Sequence, residues 1–102
     1  MYIIKLTYNA ALSEVDKYLQ AHREFLDYHY KQGKFLASGP MVPREGGIII
    51  AISDDKEELE MILQQDPFYL AEIASHEIIE FHPVKYRDEI KHLIKFKEGE
   101  TC

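Results

Sequence analysis

The hydrophobic period of this chain changes from two to 3.6 and back, twice over, and that alternation constrains its fold more tightly than any single motif. Tyr2, Ile4, Leu6 and Tyr8 fall on one side of the first stretch and Ile3, Lys5 and Thr7 on the other, the period of a strand. Asn9 to Leu12 is a connection, and Ser13 with Asp16 three residues on has the form of a helix-capping pair. A helix is expected from about Glu14 to Gln32, stopped by Gly33. Its apolar stripe reads Val15, Tyr18, Leu19, His22, Phe25, Leu26 and His29, so His22 sits in the middle of the core-facing side while Arg23 and Glu24 point away.

Phe35 to Ser38 and Ile48 to Ile52 read as two further strands. The second is apolar at every position and is expected to be covered on both faces. The loop between them suits a hairpin. Its start, Ser38-Gly39-Pro40, can present backbone groups and a hydroxyl to a ligand, since glycine permits close approach and proline fixes φ. Ser53-Asp54-Asp55 offers capping oxygens to a second helix from about Lys56 to Gln65, with Leu59, Ile62 and Leu63 buried. Asp66-Pro67 ends it, because the residue before proline is pushed out of the helical region. Pro67 also opens a short turn through Phe68, Tyr69 and Leu70, for which Asp66 is the natural cap. Ser75 to His82 contains the fourth strand, closed by Pro83. From Tyr86 a helical pattern returns with Ile90, Leu93 and Ile94 on one side, and Lys97 to Cys102 is expected to fray.

The order β-α-β-β-α-β with an extra C-terminal helix is the split βαβ, ferredoxin-like α+β arrangement: an antiparallel sheet carrying both main helices on one face. A chain of 102 residues supports one hydrophobic core, hence one domain over residues 1–102. Two helices leave the other sheet face, rich in Ile and aromatic side chains, open to water. A second copy or the C-terminal helix should cover it, and a homodimer is expected.

Composition narrows the function. A formal charge of −6 with scattered basic residues disfavours nucleic-acid partners, which are held through clustered Lys and Arg. No apolar run is long enough to span a bilayer and no signal-peptide pattern opens the chain, so a cytoplasmic protein is expected. The one cysteine, Cys102, is terminal, which leaves no intramolecular disulfide and a poor nucleophile. Metal ligation is not expected either. His76 and His82 stand about 20 Å apart along a strand, His22 and His29 about 10 Å apart along a helix, and no HExxH spacing is present.

The strand ending in Tyr8, the helix carrying Ala21-His22-Arg23, the segment Gly33 to Pro40 and the later Asp66-Pro67-Phe68 together resemble the YciI-like (YCII) family. The resemblance covers Met1 to Tyr86 and makes residues 86–102 a C-terminal helical extension. It implies a dimeric α+β barrel of ferredoxin-like subunits and a cleft centred on a histidine and an aspartate, which fall on His22 and Asp66. Ser38, Gly39 and Pro40 match the family's strand-end motif. Some related proteins act as dehydrochlorinase-type enzymes on chlorinated aromatic compounds.

Each candidate also has a plainer reading. His22 is either a satisfied core histidine or a general acid/base, a role that suits a side chain titrating near neutral pH. Asp66 is a helix cap that can at the same time orient a histidine. Ser38 is a wall of the cleft rather than a nucleophile, having no Gly-x-Ser-x-Gly elbow. Arg44 either meets an anionic ligand or is solvated. Phe68, Tyr69 and Phe25 either line a pocket or fill core. Two functions follow: a small cofactor-independent enzyme, of lyase, isomerase or dehydrochlorinase type, in which His22 and Asp66 act on a small organic molecule touched by Ser38, Gly39, Pro40 and Phe68; or a non-catalytic dimeric module that binds a small ligand or a protein.

Overall fold

The computed structural model describes residues 1–94. Its elements are β1 (Tyr2–Tyr8), α1 (Leu12–Lys17), α2 (Leu19–Lys31), β2 (Phe35–Pro40), β3 (Gly46–Ala51), α3 (Lys56–Leu63), α4 (Pro67–Leu70) and β4 (Ala74–Glu80), followed by a 3₁₀ helix over Asp88–Leu93. The four strands form one antiparallel sheet in the order β2-β3-β1-β4. This is the ferredoxin-like α+β fold read from the sequence.

Pairing fixes which residues face the helices. Tyr2, Ile4 and Leu6 lie opposite Ala51, Ile49 and Gly47 on one side and Glu80, Ile78 and His76 on the other. That parity buries Tyr2, Ile4, Leu6, Ile49 and Ala51 beneath α1 to α4 with Val15, Leu59, Leu63 and Phe68. The opposite parity gives an open face with Ile3, Ile48, Ile50 and Ile79. Ile79 is 46% exposed there and Ile48 and Ile50 are half-buried, so this chain covers β3 on one face only, against the two-sided burial expected of it. Gly46 is buried, and a Cβ there would lie 1.8 Å from the Leu6 carbonyl oxygen, so the backbone approach leaves room for glycine alone.

Three local expectations need correction. The first helix is interrupted at Tyr18, where the backbone leaves helical geometry (φ −106°, ψ 1°), and Tyr18 turns outward to 38% exposure instead of joining the buried stripe. The Ser13–Asp16 capping pair does not form: the helix starts two residues earlier, with Ala11 at the cap position and no side-chain cap, and Asp16 bonds to Arg44. The C-terminal helix is a 3₁₀ segment without buried residues; Leu93 and Ile94 border a groove beside Tyr2 and Pro83. The frayed end expected from Lys97 to Cys102 lies outside the described residues.

The Gly33 stop is present as read. Gly33 takes φ +73°, its N–H donates to the Tyr30 carbonyl and the Lys34 N–H to that of His29, a paired 5→2 and 6→1 closure of the helix end. No helix among the described residues is long and apolar enough to cross a membrane.

Candidate active site

Asp66 occupies the cap position of α4 with its side chain fully buried. Pro67 at the first helical position forces Asp66 into extended geometry, and Oδ1 then accepts the Phe68 N–H at 2.9 Å. The same oxygen accepts from His22 Nδ1 at 2.8 Å, across 44 residues of sequence. The other oxygen faces His76 Nε2 at 3.4 Å. One carboxylate thus ties together α2, the start of α4 and β4.

The charge state of that carboxylate follows from competing effects. Burial alone raises its pKa, but the hydrogen bonds from His22 and His76, the attraction of His22 and the Phe68 N–H together outweigh burial, and the net shift is downward. Asp66 is therefore ionised near neutral pH and can only accept. Since an ionised carboxylate offers no proton, His22 Nδ1 is the donor of the bond to Asp66, and in the neutral imidazole Nε2 is the atom with the lone pair.

His22 is 9% exposed and forms part of the wall of a cavity of about 400 Å³. Its ring lies flat on that of Phe68, with centroids 4.0 Å apart and planes 7° from parallel, and Tyr8 meets Phe68 edge-on at 6.0 Å. Stacking and the Asp66 bond fix both the plane and the tautomer of the imidazole. An imidazole held in one orientation in a cavity wall is what proton abstraction from a bound molecule requires.

Five of the six residues read from the sequence line this cavity: His22, Ser38, Gly39, Pro40 and Phe68. Asp66 is not in the wall but stands behind His22. Ser38 is on the helix-facing side of β2 by its pairing with Ile49, and its hydroxyl shares a 2.7 Å hydrogen bond with the phenol of Tyr30. Tyr69 and Phe25 do not line the cavity: Tyr69 stacks against His76, and Phe25 packs between His29 and Phe35.

Four residues of the site were not read from the sequence. Tyr8 and Arg23 line the cavity, Tyr30 partners Ser38, and His76 is the second imidazole on Asp66. His76 lies opposite the buried Leu6, so its parity with Ala74 and Ile78 was the signal that places it among the helices. Arg23 was expected to point away; it is exposed, yet its long side chain reaches back to the rim. Among the described residues no three of His, Cys, Asp and Glu are grouped so as to hold a metal ion.

Comparison with known proteins agrees with this architecture. A structure of 5-chloro-2-hydroxyhydroquinone dehydrochlorinase (TftG) from Burkholderia phenoliruptrix AC1100, in complex with 2,5-dihydroxybenzoquinone, superposes with a TM-score of 0.65 at 16% identity, covering 79% of this chain and 93% of that one. At that identity the likeness is one of fold. No curated protein matches the sequence. The family model of the YCII-related domain matches residues 1–82, which include every residue of the cavity wall, and this chain belongs to that family.

Proposed function

We propose that this protein is a small enzyme that uses its own side chains, without a cofactor, for proton transfer or elimination on a small ring compound held in the cleft. The observation that carries this reading is the His22–Asp66 pair: Nδ1–H is bonded to a buried, ionised carboxylate, and His22 stands in the cavity wall. Nε2 removes a proton from the bound molecule, and Asp66 stabilises the imidazolium that results. In an elimination the electron pair of the broken C–H or O–H bond moves into the ring, and the leaving group departs with its own bonding pair. His22 then returns the proton to water or product. Phe68 supports the imidazole, while Ser38, Gly39 and Pro40 supply a further part of the cavity wall. Chloride is one such leaving group, by analogy with the dehydrochlorinase of similar fold.

The same reading makes the protein a homodimer through the open sheet face, where Ile79 is exposed and Ile48 and Ile50 are half-buried in the single chain. The second reading is a non-catalytic dimeric ligand-binding module, favoured by the capping duty that Asp66 already performs for α4. The two separate on incubation with 5-chloro-2-hydroxyhydroquinone while chloride release and deuterium exchange of ring protons are followed. The enzyme reading expects acceleration over buffer that falls about 10²–10⁴-fold in His22→Gln. Equal rates in wild type and His22→Gln favour the binding module.

A further inference from the structure

The cleft beside His22 has a charge opposite to that of the protein around it. The chain carries 12 Lys and Arg against 18 Asp and Glu. Yet two guanidinium groups, Arg23 and Arg44, line this cavity, and none of the described residues lining it is Asp or Glu. Two carboxylates stand outside that lining: Asp66 is buried behind His22 with its oxygens engaged by His22, Phe68 N–H and His76, and Asp16 is paired with Arg44.

Arg44 is held rather than loose. Its Nη2 donates to Asp16 Oδ1 at 2.7 Å, and its guanidinium carbon lies 5.8 Å from the centre of the Tyr8 ring. The Asp16 bond, reinforced by Tyr8, shifts its pKa further upward, so the group stays cationic throughout. A guanidinium carries five N–H donors in a planar fork. The Asp16 bond engages one nitrogen, leaving donors for a second anion. The remaining wall is apolar, formed by Leu6, Leu19, Leu26, Ile49 and Phe68.

We infer that the cleft takes an anionic ligand: a one-ring compound bearing an acidic oxygen, carboxylate or phenolate, whose charge meets Arg44 while its carbon skeleton lies along the Phe68 wall beside His22. Arg44 is then the residue that selects for charge, and Arg23 adds to the field at the rim. An apolar wall with a guanidinium at one end binds the charged member of an isosteric pair in preference to the neutral one. The inference rests on the acid/base reading of the same cleft and names its substrate class.

Benzoate and benzamide, nearly equal in shape, test it by titration of ¹H–¹⁵N amide shifts in the full chain. Benzoate should bind about tenfold more tightly than benzamide, the discrimination expected of a hydrogen bond between charged partners. Arg44→Gln should bring the ratio close to one with benzamide affinity unchanged, Arg44→Lys should keep part of it, and added salt should weaken benzoate alone. A ratio near one in the wild type, a ratio unchanged in Arg44→Gln, or no saturable shift with benzoate overturns the inference. The readout is independent of turnover. A preserved ratio with full chloride release in His22→Gln removes the acid/base reading alone, whereas a ratio of one with release lost in His22→Gln removes the anion site alone.

Discussion

Replacing Asp66 by alanine, with asparagine as its control, probes the centre of the site. The carboxylate caps α4 through the Phe68 N–H and accepts the His22 Nδ1–H inside a region closed to water. Losing the cap costs about 1 kcal/mol, and losing a hydrogen bond to a charged group that leaves a buried donor unpaired costs about 1.5–3 kcal/mol. Asp66→Ala should therefore destabilise the protein by about 2.5–4 kcal/mol, which for a domain of this size lowers the melting temperature by at least about 10 °C. Asn keeps an acceptor for the Phe68 N–H and for Nδ1–H but no charge, so Asp66→Asn should cost about 1–2 kcal/mol. The acid limb follows from the same group. Its folded pKa lies below its unfolded value, so the stability it contributes is present above about pH 3.9 and is lost as pH falls through the lower folded value. Both variants should lack that loss. Thermal melts followed by circular dichroism between pH 2 and 7, with long-range ¹H–¹⁵N spectra of the imidazole, give the readout. A cost below about 1 kcal/mol for Asp66→Ala, or a wild-type His22 whose proton sits on Nε2, would refute the reasoning.

Two other sites give sharp expectations. His29 is buried among Phe25, Tyr28 and Phe35 with Nδ1 unpartnered, and burial, followed by the charge of Lys34, lowers its pKa. Its neutral form is the folded one, so stability present above about pH 6.5 should decline as pH falls towards the lower folded value. His29→Leu should remove that slope and add about 1 kcal/mol at pH 6, read from urea midpoints. Gly46→Ala should cost more than about 3 kcal/mol or prevent folding, because its methyl meets the Leu6 carbonyl oxygen at 1.8 Å; a soluble variant with an unchanged melting temperature would contradict the register of β1 and β3.

The sequence carried the fold because its periods are local: the alternation of Tyr2 to Tyr8 and the Gly33 stop needed no tertiary information. Asp66 was legible for the same reason, since aspartate before proline at a helix end is a cap wherever it occurs. What was hidden depends on register or on reach. His76 joins the site only through its pairing opposite Leu6, and one residue of slip would turn it to the open face. Arg23 lies one residue from His22 on the helix, and only the length of its side chain brings it to the rim. No Gly or Pro marks the break at Tyr18. In the tail, Ile90, Leu93 and Ile94 have helical spacing, but no side-chain cap and no buried residue stabilise an α-helix there, and a 3₁₀ segment forms instead.

The most direct measurement of the central claim is a crystal structure of this protein soaked with 2,5-dihydroxybenzoquinone, the ring compound found in the dehydrochlorinase complex of similar fold. The ring is expected in the cleft between Phe68 and Ser38, with one of its atoms about 2.6–3.2 Å from His22 Nε2 and Asp66 still bonded to Nδ1. A ring bound elsewhere, or bound in the cleft with Nε2 turned away and paired to protein, would contradict it.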